Sequence, residues 1–309
     1  MSRGLVIISG ATGFIGSALC RGLAEGGYDV AILTRNRDKA RELFGDSAIA
    51  AEWDGKTSQG WLELAAQADA VINLAGENIG AGRWTKKRKQ RIVHSRLNAG
   101  NAIIEAVQRA SVKPKTIIQA SAVGFYGPRE DEYLDEFSPA GDGFLAGLAR
   151  QWESSTRQAE ELGVRRIVTR SGLVLGKGGG VLPKFLTPFR FFLGGPLGSG
   201  KQWLSWIHWK DEIAVIRFLL ERDDLNGVFN LVAPHPVTMK EFSRTLGCVM
   251  KRPSWFPVPA LLLRVLFGEM ARETLLSGQR VLPSALLKAG YKFQYPKIEP
   301  ALREILGAG

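Results

Sequence analysis

The sequence predicts an α/β fold: a doubly wound parallel sheet of Rossmann type, with a smaller C-terminal substrate lobe. Three observations carry this. Apolar runs of strand length alternate with helix-periodic segments through the first half of the chain, as in repeated βα units. A glycine-punctuated turn, Gly10-Ala-Thr-Gly-Phe-Ile-Gly16, joins the first such run to the first such helix. From about Gly172 glycine and proline become dense, and the alternation gives way to short, broken segments.

The elements follow in order. Leu5–Ser9 is too short and too apolar for anything but a buried strand. Phe14–Glu25 is helix-periodic, with Phe14, Ile15, Ala18, Leu19 and Leu23 as its apolar positions. Between them, Gly10 permits a tight turn and Gly13 lets a diphosphate approach the backbone. Gly16 lets the helix pack closely on the strand. The helix N-terminus adds free N–H groups and partial positive charge. Gly10, Thr12, Gly13, Phe14, Ile15 and Gly16 are therefore the candidate diphosphate contacts.

The second strand, Val30–Thr34, decides the cofactor. An NAD-specific fold places an acid at its end to bond the ribose hydroxyls. Here Thr34 is followed by Arg35, Asn36 and Arg37. A guanidinium suits a 2′-phosphate, so NADP is expected, with Thr34 and Arg35 as contacts. The plainer alternative is two arginines facing solvent. A helix is expected over Arg37–Leu43 and a strand over Ala48–Trp53, after which Asp54 reads equally as an adenine contact or a surface acid. The fourth strand, Ala70–Leu74, runs into small residues, so Leu74, Ala75 and Gly76 are candidate contacts for the adenosine ribose or the diphosphate. A helix over Lys86–Arg109 and a strand over Thr116–Ser121 come next. Ser121 would lie where nicotinamide and substrate meet. Gly143–Leu162 reads as one helix and Arg166–Arg170 as the next strand.

Residues 1–172 thus form the dinucleotide-binding domain. A helix at Asp211–Glu221 and a strand at Val228–Val232 are expected to return to it, making 210–232 part of the same unit. Residues 173–209 and 233–309 make the substrate lobe. Its tail reads as short helices broken by Pro253, Pro257, Pro259 and Pro283. Trp203, Trp206 and Trp209, with Phe185, Phe189, Phe191 and Phe192, suggest core or an aromatic pocket wall.

Composition narrows the function classes. The 309 residues are 45% hydrophobic and 23% charged, which is globular. Only Cys20 and Cys248 occur, so a disulfide framework is excluded and a reducing, cytoplasmic setting is expected. The longest apolar stretch, Val258 to Phe267, is short of the roughly 18 residues of a membrane span and carries Arg264. No membrane partner is expected. The net charge of +11 concentrates at Arg83–Arg91, without the aromatic ladder of a nucleic-acid site, and no nucleic-acid partner is expected either. Gly195-Pro-Leu-Gly-Ser-Gly-Lys201 nearly spells a P-loop, but Gln202 lacks the magnesium-binding hydroxyl. The three histidines are far apart in sequence, so no metal set is expected. The expected partner is a small-molecule substrate, and a homo-oligomer is left open.

Taken in order, Gly10–Gly16, Asn73–Gly76 and Ser121–Gly127 resemble the extended short-chain dehydrogenase/reductases, which include sugar-nucleotide epimerases. Finer stretches resemble one atypical branch, the YfcH-like NAD-dependent epimerase family. These are Asn73–Ile79, Arg83-Trp84, Ser95-Arg96, Arg170–Gly176, Gly194–Gly200, Trp206–His208 and Gly278–Pro283. The resemblance implies a Rossmann-type sheet, a C-terminal substrate lobe and NADP.

The departures are as informative. Typical members carry Tyr-x-x-x-Lys on the helix after the serine strand, for proton transfer. None of the five tyrosines here is followed by lysine four positions on. Alignment through Glu153 puts Leu145 and Ala149 at those places. Aligning the preceding helix puts Arg96 where the superfamily has an asparagine. It would then point at cofactor or substrate, the alternative being an exposed arginine. Ser121 and Tyr126 are the remaining catalytic candidates, with Tyr126 also readable as a packing residue. His208, Lys177 and Lys201 are weaker ones. Two functions stay open. One is an NADP(H)-dependent oxidoreductase or epimerase-like enzyme. The other is a non-catalytic NADP(H)-binding sensor or scaffold.

Overall fold

A computed structural model describes residues 2–308. The first half runs β1 (Leu5–Ser9), α1 (Phe14–Glu25), β2 (Asp29–Thr34), α2 (Arg37–Phe44), β3 (Ile49–Glu52), α3 (Leu62–Ala65), β4 (Ala70–Asn73), α4 (Lys86–Arg109), β5 (Thr116–Ala122), β6 (Tyr133–Leu134), α5 (Phe144–Ser154), α6 (Gln158–Glu161) and β7 (Arg165–Ser171). The second half runs β8 (Leu173–Gly176), β9 (Gly179–Gly180), α7 (Leu182–Arg190), β10 (Trp203–Leu204), β11 (Trp206–His208), α8 (Trp209–Glu221), β12 (Gly227–Leu231), β13 (Val237–Thr238), α9 (Met239–Met250), α10 (Ala260–Phe267), β14 (Arg280–Val281), α11 (Ser284–Lys288) and α12 (Ile298–Leu306).

Seven strands form one sheet in the order β12-β7-β5-β4-β1-β2-β3, every neighbouring pair parallel. The apolar runs become strands because both faces are covered. Successive side chains of β1 enter opposite layers. Val6 and Ile8 pack with Leu19 and Leu23 of α1 and with Val215 and Leu219 of α8. Ile7 packs with Ala99, Ile103 and Val107 of α4. A small second sheet, β11-β8-β9, sits beyond the carboxyl end of β7. A third apolar cluster joins it to α7, α9 and α12 around Trp206, Phe242 and Ile305.

The strands of the large sheet fall within a residue or two of their expected places. Two stretches differ. The single helix expected over 143–162 breaks into α5 and α6. Ser155 folds its hydroxyl back onto the Trp152 carbonyl, and the buried Thr156 accepts a hydrogen bond from Arg166. The turn packs against α4 at Gly100, where a Cβ would lie 2.0 Å from the Ser155 hydroxyl. The glycine- and proline-dense stretch after Gly172, expected to hold short, broken segments, contains the nine-residue helix α7. Pro183 stands in its first turn, where its missing N–H costs no helical bond.

Candidate functional site

The ends of β2, β1, β4, β5 and β7 bring the expected residues to one edge of the sheet, the carboxyl edge where α/β folds bind ligands. The glycine turn has two kinds of glycine. Gly10 has a φ of +72°, and a Cβ there would lie 2.7 Å from the Leu74 carbonyl. A Cβ on Gly16 would lie 2.3 Å from the Gly10 carbonyl oxygen. The chain's own packing demands both. Gly13 is exposed, and a Cβ there would meet only the Gly10 oxygen, at 3.2 Å. Its bare face serves no internal contact and is open to a ligand. The same residue starts α1 with no side-chain cap. Asn36, Thr85, His208 and Thr238 cap α2, α4, α8 and α9, and Glu273 accepts from the first amides of α5, whereas α7, α10 and α12 start without a side-chain cap as α1 does. An uncapped helix start above a bare glycine fits a diphosphate.

Thr12 is half-exposed beside Gly13, and Ile15 packs against the sheet core. The Phe14 side chain points away from the turn. Its ring is clasped by the β8–β9 hairpin, where a Cβ on Gly179 or Gly176 would lie 2.1 or 2.5 Å from ring carbons. These glycines, part of the glycine-dense stretch that follows Gly172, make room for Phe14.

At the end of β2, the Thr34 hydroxyl accepts from the Asn36 amide and donates to the Asn36 carbonyl. It is committed to the turn. Arg35 and Arg37 are exposed and free of ion pairs among the described residues. Asp54 accepts the amides of Lys56 and Thr57. Its carboxylate closes its own turn, so the adenine reading has no support here.

Behind the loop after β4 lies Arg96, on α4 and buried rather than exposed. Its guanidinium stacks on Trp152, 4.7 Å from the ring centre, and lies so close to Gly76 that a Cβ there would be 2.9 Å from its central carbon. One of its terminal nitrogens, Nη1, donates to the carbonyls of Glu77 and Ile92. Its Nε is buried without a partner. Burial lowers its pKa to about 10, so it stays protonated at neutral pH. No carboxylate forms an ion pair with it among the described residues. A buried cation in this state suits an anionic group on the loop that it supports. Leu74, Ala75 and Gly76 sit between it and the glycine turn: the Leu74 backbone touches Gly10, and Asn73 accepts the Ala75 amide.

At the end of β5, the Ser121 hydroxyl donates to Glu153 Oε1 at 2.6 Å. Arg170, across the β5–β7 pair from Ser121, holds both oxygens of that carboxylate, at 2.8 and 3.0 Å. Its guanidinium also covers the Phe125 ring at 3.4 Å and donates to the Tyr126 hydroxyl at 3.0 Å. On its outer side Glu153 borders a cleft of about 370 Å³ that is also lined by Arg150, Arg157 and Arg166. The carboxylate thus stands between Ser121 and solvent.

The structure corrects the reading of Tyr126 as a proton donor. Its side chain is wholly buried, and its hydroxyl donates to Asn230 at 2.7 Å while accepting from Arg170. Burial pushes its pKa up. His208 is likewise structural: Nε2 pairs with Glu304, Nδ1 caps α8, and the ring stacks on Tyr295. Trp206 and Phe189 are core, and Trp203 lies under Arg280. Lys177 and Lys201 are exposed. Glu153 and Trp152 were not singled out in the sequence. The available signal was Arg170 itself, a charge inside a strand otherwise buried, which needs an acid partner. Among the described residues no cluster of three or more possible metal ligands occurs.

Residues 6–231 match the model of the NAD dependent epimerase/dehydratase family, and residues 258–305 match a domain of unknown function, DUF1731. The epimerase family protein YfhF of Bacillus subtilis is 39% identical over 302 residues, covering 97% of each chain. Human epimerase family protein SDR39U1 is 36% identical over 304 residues, covering 97% of this chain and 99% of that one. The crystal structure of human SDR39U1 (isoform 2) with NADPH superposes with a TM-score of 0.87 at 36% identity, covering 98% of this chain and 99% of that chain. UDP-glucose 4-epimerase of Thermotoga maritima shares the fold at 17% identity, with a TM-score of 0.79 and 98% of each chain covered.

Proposed function

This chain belongs to the NAD dependent epimerase/dehydratase family, and we propose that it is an NADP(H)-binding oxidoreductase or epimerase-like enzyme. It acts on a carbonyl or carbinol carbon beside Ser121. Bound NADPH or NADP⁺ supplies or accepts the hydride. The Gly10–Gly16 turn holds the diphosphate at the uncapped start of α1, and Arg35 takes the 2′-phosphate that NAD lacks. Leu74, Ala75 and Gly76 lie against the nucleotide, with the charge of Arg96 behind them. The human relative solved with NADPH supports the choice of cofactor. A reducing, cytoplasmic setting suits the two unpaired cysteines.

The observation that carries the enzyme reading is the short bond from Ser121 to Glu153. The serine hydroxyl donates its hydrogen bond to the carboxylate, so its lone pairs are left as acceptors for a substrate hydroxyl. In the oxidising direction the substrate O–H proton passes to Ser121 Oγ as the serine proton passes to Glu153. In the reducing direction both protons move back. The cleft on the outer side of Glu153 connects the carboxylate to water. This relay takes the place of Tyr-x-x-x-Lys and needs no tyrosine.

The test is a panel of ketones, sugar nucleotides and enones with NADPH, using the wild type, Ser121→Ala and Glu153→Gln. Turnover by the wild type, with a loss of about 100-fold in each variant at unchanged NADPH affinity, is the expected result. Firm NADPH binding without turnover on any panel member defeats it. The second reading, a sensor or scaffold, rests on Leu145 and the buried Ala149 at the places of the proton-transfer pair. It requires NADPH and NADP⁺ to shift assembly or partner binding unequally, and equal effects remove it.

A further inference from the structure

Nine of the fourteen large apolar side chains that stand exposed among the described residues belong to two segments of the C-terminal lobe. On α10, Leu261, Leu262, Val265 and Leu266 share one outward stripe, with exposures from 47% for Leu262 to 73% for Leu261. Only Leu263 of that helix is buried. The approach to α10 adds Trp255 and Phe256, and the segment after α7 adds Phe191, Phe192 and Leu193. The two segments are stitched together. The Phe256 amide donates to the Gly194 carbonyl, the Val258 amide to the Pro196 carbonyl, and Leu197 bridges Val258. The result is one apolar surface that no other part of the described chain covers, and it is too concentrated to be ordinary surface scatter.

Charge says what covers it. Residues 177–210 and 242–268, which build the patch, contain no aspartate or glutamate. They contribute Arg190, Lys251, Arg252 and Arg264, all exposed and free of ion pairs among the described residues. Arg252 lies over the Phe192 ring, 4.5 Å from its centre, which places a cation directly at the apolar border. A second copy docking here would bring like charges together around the patch. An anionic bilayer presents the opposite sign and takes apolar side chains without shape complementarity. Trp255 has the amphipathic ring favoured at the headgroup level, and the phenylalanines add apolar bulk beside it.

We propose that this face, centred on α10, is a docking surface for an anionic membrane. The expectation of no membrane partner rested on the absence of a run long enough to span. No helix among the described residues is long and apolar enough to cross a bilayer. A surface-bound face needs only a short apolar stripe with a basic rim, and the Val258–Phe267 stretch supplies it together with Arg264.

The full chain should float with phosphatidylcholine vesicles containing phosphatidylglycerol, and bind pure phosphatidylcholine vesicles at least about tenfold more weakly. Raising the salt concentration should reduce the binding. Leu261→Ser with Val265→Ser changes only exposed positions and should lower vesicle affinity about tenfold or more, with melting temperature and NADPH titration unchanged. Lys251→Glu with Arg252→Glu should weaken binding to the anionic vesicles, and it serves as the independent probe if the first variant is unstable. Absence of vesicle binding, or binding that neither variant reduces, overturns the proposal. So does a concentration-dependent dimer in sedimentation velocity that the serine variant dissolves, since the patch would then belong to a second copy.

Discussion

The two halves of the groove are built from different material. Gly10, Gly13 and Gly16 shape the half proposed for the diphosphate with main chain alone, from a single turn between β1 and α1. Ser121, Glu153, Arg170 and Tyr126 shape the other half with side chains from β5, α5, β7 and the turn at Val123–Tyr126. A site of the first kind is fixed by local sterics and offers amides that carry no titrating charge. A site of the second kind holds ionised groups out of water, and each depends on the others for its partner. The first can lose its ligand without losing its shape. The second cannot lose a member without cost to the fold.

The strongest way to break this contrast is Glu153→Ala. It leaves the Arg170 guanidinium, 5% exposed, without its carboxylate. A loss of about 3–5 kcal/mol in urea unfolding is expected. A loss no larger than that of an exposed ion pair would mean that the network does not hold this half together.

Next to Arg170, Ser171 donates to Glu212, which is fully buried and has one oxygen without a partner. Burial raises its pKa from 4.5 to about 8. The folded state therefore keeps a proton that the unfolded state releases. The stability this contributes is complete below about pH 4.5 and is lost as pH rises toward 8. Glu212→Gln keeps the acceptor for Ser171 and removes the titration. Compared with the wild type, it should gain on the order of 3 kcal/mol between pH 5 and 8 in denaturant melts. Parallel pH profiles would show that Glu212 is already ionised in the folded chain.

The backbone-built half should respond in affinity instead. Gly13 has a φ of −83°, which any residue adopts, and a Cβ there would meet only the Gly10 carbonyl oxygen, at 3.2 Å, so Gly13→Ala needs only a small local adjustment. It should weaken NADPH binding about 100-fold, near 2.7 kcal/mol, at an unchanged melting temperature. A matching fall in stability would show that Gly13 is held by packing, like Gly10 and Gly16. The smallest effect belongs to Arg35→Ser. It should cost about tenfold in NADPH affinity and leave NADH affinity unchanged, because Arg37 remains nearby and both side chains are exposed. Equal losses for both cofactors would remove the 2′-phosphate assignment.

Legibility in the sequence follows the same division. The phosphate turn could be read because its requirements are met by neighbours: a short apolar run, glycines at fixed offsets and a helix-periodic segment. Arg35 could be read because it directly follows β2. The Ser121–Glu153–Arg170 network could not, because its members lie 32 and 17 residues apart and meet only when β5, β7 and α5 pack. Tyr126 shows the hazard in the other direction. A tyrosine directly before a glycine, just past a strand end, reads as a proton donor, yet its hydroxyl is taken by Asn230, 104 residues away.

The sequence by itself determined the repeated βα order, the glycine turn between β1 and α1, the cation after β2 and the absence of a Tyr-x-x-x-Lys pair. Periodicity, glycine spacing and strand-end identity are local, and the sterics that enforce them act within a few residues. Tertiary packing alone decided that Arg96 is buried on Trp152 behind Gly76, that the Gly176–Gly180 run clasps Phe14, and that α10 is left with its apolar stripe uncovered. Each of these depends on which distant surface arrives opposite a side chain. No pattern along the chain specifies that, because burial is a property of the assembled layers.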